Sequence, residues 1–141
     1  MNDLPTATAD QQSAYVSRFY IVQASEGLPI AVWFSWLAPS TFPFTGFGTT
    51  AAEAENNQAY QQTHNWLLGA TMGGACAADA NAVWTCPLTL ASGRAALIVW
   101  SDSATSYSSG AKYSSYQSLT GITSPIGGGV VPIGILPILL Q

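Results

Sequence analysis

Charge is what this sequence has least of. Three basic residues, Arg18, Arg94 and Lys112, stand against seven acids in 141 positions, and charged side chains make up 7% of the chain. A soluble globular protein carries roughly 25%. Three scattered cations cannot assemble the positive footprint that a phosphate backbone demands, which excludes nucleic acid as a partner. Histidine is reduced to His64 and cysteine to Cys76 and Cys86. That is too little for a four-ligand structural zinc site, so no metal is expected, and no cofactor either. Long apolar runs are also missing. Nothing approaches the roughly 18 to 20 residues of a membrane span, because the apolar stretch from Val130 to Leu140 is broken by Pro132, Gly134 and Pro137. The opening MNDLPTATAD has no basic segment followed by an apolar one, so it does not read as a signal peptide, and an exported form would carry its signal elsewhere.

What is present is apolar and aromatic. Hydrophobic residues reach 48%, enough for one domain of this length to bury a core. Its surface must then be dressed with Ser, Thr, Asn, Gln and Gly. Such a surface suits a secreted protein and offers little charge repulsion against self-association. Cys76 and Cys86, ten residues apart, read as a disulfide in preference to two free buried thiols. In the chain-entropy view so short a loop contributes roughly 2 to 3 kcal/mol, and the bond implies an oxidising compartment.

Between Thr8 and Ser25, the positions Ala14, Tyr15, Arg18, Phe19, Val22 and Gln23 follow a three-and-four spacing that predicts a helix. Thr8 or Asp10 is its start signal and Gly27 its stop. Leu28 to Leu37, which contains IAVWFSW, is continuously apolar and predicts a strand covered on both faces. Alternation would put Ala31, Trp33 and Ser35 on one side, with Val32, Phe34 and Trp36 on the other. After the loop APSTFPFTGFGTT, Thr50 begins a second predicted helix from Ala51 to about Leu68, with Glu53 and Glu55 at its positive end. Helix, buried strand, loop and helix is the order of one parallel α/β unit.

Beyond Gly69 the texture changes. VWTCPLTL, RAALIVWS, AKYSSYQSL and VVPIGILPILLQ predict short strands separated by ASG, SATSYSSG and SPIGGG, with ASG as a hairpin connection. RAALIVWS alternates poorly, which suggests cover on both faces.

The ordered segments DQQSAYVSRFYIVQASEGLPIAVWFSW, AYQQTHNWLLGAT, VWTCPLTL, AALIVWSDS, YSSYQSLTG and IGILPILL together resemble the C-terminal portion of secreted (β/α)8-barrel retaining glycoside hydrolases of the glucanase, β-glucosidase and β-xylosidase type. The resemblance implies an α+β fold in which two helices and one barrel-type strand pack on an antiparallel β-sandwich-like sheet, without a complete barrel. Residues 1–70 would be the remnant of the last barrel unit and 71–141 the sandwich-like region, within one compact unit. The implied partner is an oligo- or polysaccharide with β-linkages, bound at the C-terminal end of the strand. Trp33, Trp36 and Phe47 would then contact the sugar, with Trp33 as the platform.

Retaining hydrolysis needs two carboxyls about 5 to 5.5 Å apart. In the resembling enzymes those groups precede the part that this sequence matches. Glu53, Glu55 and Asp102 remain as weak catalytic candidates, each with a ready structural role, and Glu26 has less to offer. Without a Gly-x-Ser-x-Gly elbow, His64 does not suggest a serine triad. The alternative is a non-catalytic carbohydrate-binding or structural module of a glycosidase. In either case, uncovered barrel faces favour a homodimer or swapped oligomer.

Overall fold

The computed structural model describes residues 7–33, 47 and 50–141, and the fold is α+β. Helix α1 spans Ala9–Ser25 and helix α2 spans Ala51–Leu67. Both open on the same device, a capping box. The Gln11 N–H donates to Thr8 Oγ1, and the Thr8 N–H donates back to Gln11 Oε1; Thr50 and Glu53 repeat the exchange on α2. Each pair satisfies two N–H groups that the first turn leaves without partners. Thr8, rather than Asp10, is therefore the cap.

The helices meet along a polar seam. Gln12, Ser13, Ser17, Asn56 and Thr63 are buried there. The Ser17 and Thr63 hydroxyls lie 2.7 Å apart, Ser13 donates to Asn56 Oδ1, and the Asn56 amide donates to Gln12 Oε1. Small side chains allow this close approach, and internal hydrogen bonding offsets the cost of removing these groups from water.

Nine short strands follow: β1 (Thr71–Met72), β2 (Ala77–Ala78), β3 (Val83–Thr89), β4 (Ala95–Ser101), β5 (Thr105–Ser108), β6 (Ser115–Gln117), β7 (Thr123–Pro125), β8 (Val130–Ile133) and β9 (Ile138–Leu140). Seven form one antiparallel sheet in the order β1-β3-β4-β9-β6-β7, with β2 also paired to β3. Strands β5 and β8 make a separate antiparallel ribbon. The β3–β4 hairpin turns through ASG, closed by the Leu90 N–H donating to the Arg94 carbonyl.

Alternation along the strands sends their side chains into two cores. Cys86, Leu88, Ala96, Ile98, Trp100 and Leu139 join Ile21, Ala59 and Trp66 of the helices. On the other face Val83, Leu97, Val99, Ile138 and Leu140 pack with Tyr113 and with Val131 and Ile133 of the ribbon. The sheet is thus the middle of three layers, and its ribbon side is sandwich-like. Ile98 and Val99 are fully buried on opposite faces, which accounts for the poor alternation of RAALIVWS.

Two cross-links brace the fold, one within the main sheet and one between helix and sheet. Cys76 and Cys86 are disulfide-bonded, which decides against free thiols. Arg18 of α1 reaches the sheet. Its Nε and Nη2 donate to the Ile135 carbonyl at 3.0 and 2.6 Å, Nη2 also to the Ser101 carbonyl at 3.4 Å, and Nη1 to Asp102 Oδ1 at 2.8 Å. The guanidinium also lies over the Trp100 ring, 5.5 Å from its centre.

Four strand expectations need correction. The described part of the Leu28–Leu37 segment, 28–33, is not a strand, and Leu28, Ile30 and Val32 are 50%, 77% and 75% exposed. Apolar content makes a strand only where a neighbouring strand accepts its N–H and C=O groups, and among the described residues none pairs with it. VVPIGILPILLQ is two strands in two different sheets, because the turn from Gly134 to Pro137 carries the chain from the ribbon to the centre of the main sheet. SATSYSSG, expected as a separator, contains β5. Finally, AKYSSYQSL contributes only Ser115–Gln117, and β7 was not anticipated. No closed barrel is formed by the described residues.

Candidate functional site

Trp33 lies against the outer side of the helix pair. Phe19 and Tyr20 come from consecutive positions on α1, while Tyr60 and His64, four apart, share one face of α2. The rings form a continuous wall. Phe19 meets Trp33 edge-on at 5.4 Å, Trp33 meets Phe47 at 5.9 Å, Phe47 meets Tyr60 at 5.4 Å, and Tyr60 meets Tyr20 at 5.2 Å and His64 at 6.5 Å. Beside them is a recess of about 300 Å³ lined by Tyr20, Tyr60, His64, Leu67, Leu68 and Gly69.

The wall differs in exposure along its length. Phe47 is buried at 4%, so its ring backs the wall from within. Trp33 and Tyr60 are half-buried and His64 is exposed. Burial raises the Tyr20 phenol above its ordinary value, Tyr60 adds to the rise, and a hydrogen bond with the Trp33 backbone works in the opposite direction. The hydroxyl of Tyr20 is therefore protonated at neutral pH. Flat apolar ring faces beside phenol and imidazole edges suit a ligand that is apolar on its faces and hydroxylated around its rim.

Of the other residues singled out in the sequence, Trp36 lies outside the described residues. Glu53 is engaged at the start of α2, where its carboxylate accepts the Thr50 N–H at 2.9 Å. Glu55 is exposed on the same helix. Asp102 pairs with Arg18 and is 63% exposed. The helix cap and the Arg18 pair are separate hydrogen-bond groups, so each of these two acids has a structural task of its own. Among the described residues no three His, Cys, Asp or Glu side chains gather as metal ligands, and no helix is long and apolar enough to cross a membrane.

Tyr20, Tyr60 and His64 were not singled out as partners of Trp33 by sequence reasoning. The four-residue spacing of Tyr60 and His64 was the available signal, but which helix faces Trp33 is decided by the helix-pair packing. No family model, curated protein or solved structure matches this chain.

Proposed function

We propose that this chain is a glycan-contacting unit, related to the C-terminal portion of β-glycan-cleaving (β/α)8-barrel glycosidases, that meets sugar through Trp33 without supplying the catalytic carboxylate pair. On this reading the two helices correspond to the last barrel helices, and the sheet with its ribbon to the appended β-sandwich. The observation that carries the reading is the half-exposed Trp33 at the head of a ring wall that opens into the recess of Tyr20, Tyr60 and His64. A pyranose has the matching chemistry, with C–H groups on its face and hydroxyls on its rim.

Tryptophan fluorescence titrated with cello- and xylo-oligosaccharides tests this reading. Trp66 and Trp100 are buried at 3% and 2%, so a sugar-dependent change lost in Trp33→Phe assigns the contact to Trp33. No response at millimolar sugar refutes it. In parallel, the purified chain is expected to leave aryl β-glycosides intact. Co-eluting hydrolysis that is lost in Glu53→Gln, Glu55→Gln or Asp102→Asn would instead establish a catalytic role for the acid concerned. The disulfide fits an extracellular address. The exposed strip of Leu28, Ile30 and Val32 favours self-association, which sedimentation at several concentrations would register as a dimer.

A further inference from the structure

A second groove lies on the other side of the sheet, away from Trp33. Strand β3 directs Val83, Thr85, Pro87 and Thr89 toward the ribbon side. Val83 is covered there, whereas Pro87 and Thr89 are exposed. Between this uncovered end of the β3–β4 hairpin and the 107–113 segment is a groove of about 490 Å³, within the range of small-ligand sites. Tyr107, Lys112 and Tyr113 form its far wall, and Ser109 lies between them.

These three side chains form one electrostatic group. Lys112 Nζ is 5.3 Å from the centre of the Tyr113 ring. Burial raises the Tyr107 phenol above its ordinary value, neighbouring Tyr113 raises it further, and Lys112 pulls it back. The phenol therefore remains a hydrogen-bond donor at neutral pH. Among the described residues the one ion pair is Arg18 with Asp102, so Lys112 has an aromatic neighbour there but no carboxylate.

A single ammonium with phenol and hydroxyl neighbours matches a monoanion that also carries hydroxyls. A phosphate would be better served by a guanidinium fork or a helix N-terminus, and the groove is lined by neither. We propose that this groove binds a carboxylated sugar, a uronic acid residue, with Lys112 holding the carboxylate, the Tyr107 ring beneath the pyranose, and Thr85 and Thr89 meeting its hydroxyls. The site uses no residue of the Trp33 wall, so either can fail without the other.

Amide NMR spectra of the whole chain, titrated with methyl glucuronide, methyl glucoside and acetate, provide the test. Methyl glucuronide is expected to shift the Thr85, Thr89, Tyr107, Lys112 and Tyr113 amides saturably at millimolar concentration, with Ala31 and Trp33 unmoved. Exposed Lys112 tolerates replacement, and Lys112→Gln should weaken binding about tenfold. Tyr107→Ala should weaken it as well and decides the matter should the first variant misfold. Equal shifts with methyl glucoside or with acetate, affinity unchanged in both variants, or no shift up to about 50 mM would each overturn the proposal.

Discussion

Arg18 offers the sharpest quantitative test of how the layers are joined. In Arg18→Met the stem still fills its place over Trp100, but the Ile135 carbonyl loses the two N–H donors at 3.0 and 2.6 Å and Asp102 loses its partner. Hydrogen bonds from a charged donor contribute about 1.5 to 3 kcal/mol each, and the two to Ile135 share one acceptor, so together they count as little more than one. The Asp102 pair, 63% exposed on the acid side, adds only about 0.2 to 1 kcal/mol after solvent screening. Loss of the cation over Trp100 adds roughly 0.5 to 1 kcal/mol. The expected total is about 2 to 5 kcal/mol, which at a urea slope of roughly 2 kcal/mol per molar lowers the midpoint by about 1 to 2.5 M. Asp102→Asn should shift it by less than about 0.5 M, and Arg18→Lys should fall between the two. Urea unfolding followed by tryptophan emission and circular dichroism reads all three variants. Equal losses in Arg18→Met and Asp102→Asn would show that the ion pair, not the carbonyl clamp, joins helix to sheet.

Three further outcomes are expected. Replacing Cys76 and Cys86 together by Ala should cost roughly 2 to 3 kcal/mol, and the native protein should take up no thiol label by mass. Gly129→Ala should be more costly than Gly93→Ala by about 1 to 3 kcal/mol in thermal unfolding. Both glycines have positive φ, but a Cβ at 129 would meet the Gly110 carbonyl oxygen at 2.7 Å, while at 93 it meets nothing within 4 Å. Gln117→Met should destabilise by about 1 to 3 kcal/mol, because the Trp66 indole N–H and the Gln62 amide both donate to its Oε1 at 2.8 Å. A loss below about 0.5 kcal/mol would mean that both donors find other partners.

The elements most legible in the sequence were those whose signals are local. Thr50 marked the start of the second helix and Thr8 or Asp10 that of the first, and the structure completes a capping box within four residues at Thr8 and at Thr50. The ASG hairpin and the buried run of β4 were readable for the same reason. Pairing was not legible. Leu28 to Trp33 has the composition of a buried strand, but its N–H and C=O groups need a neighbour that local sequence cannot supply. VVPIGILPILLQ likewise shows no sign that its two halves serve different sheets. The candidate site divides in the same way: Trp33 was conspicuous by its chemistry, whereas Tyr20, Tyr60 and His64 join it through tertiary packing. Tyr107 falls in the segment read as the separator SATSYSSG and Tyr113 in the predicted strand AKYSSYQSL, and their approach to Lys112 and β3 depends on the ribbon folding back over the sheet.

The place of β9 has a consequence for how the chain is made. It bridges the β3–β4 hairpin to the β6–β7 hairpin, yet among the described strands it comes last in the sequence. Until residues 138–140 leave the ribosome, β4 presents an open, strongly apolar edge, Leu97 to Val99, to any extended chain nearby. Translation must therefore run through the other eight described strands before the sheet can close. The nascent protein passes that interval with very little charge to keep it from its neighbours.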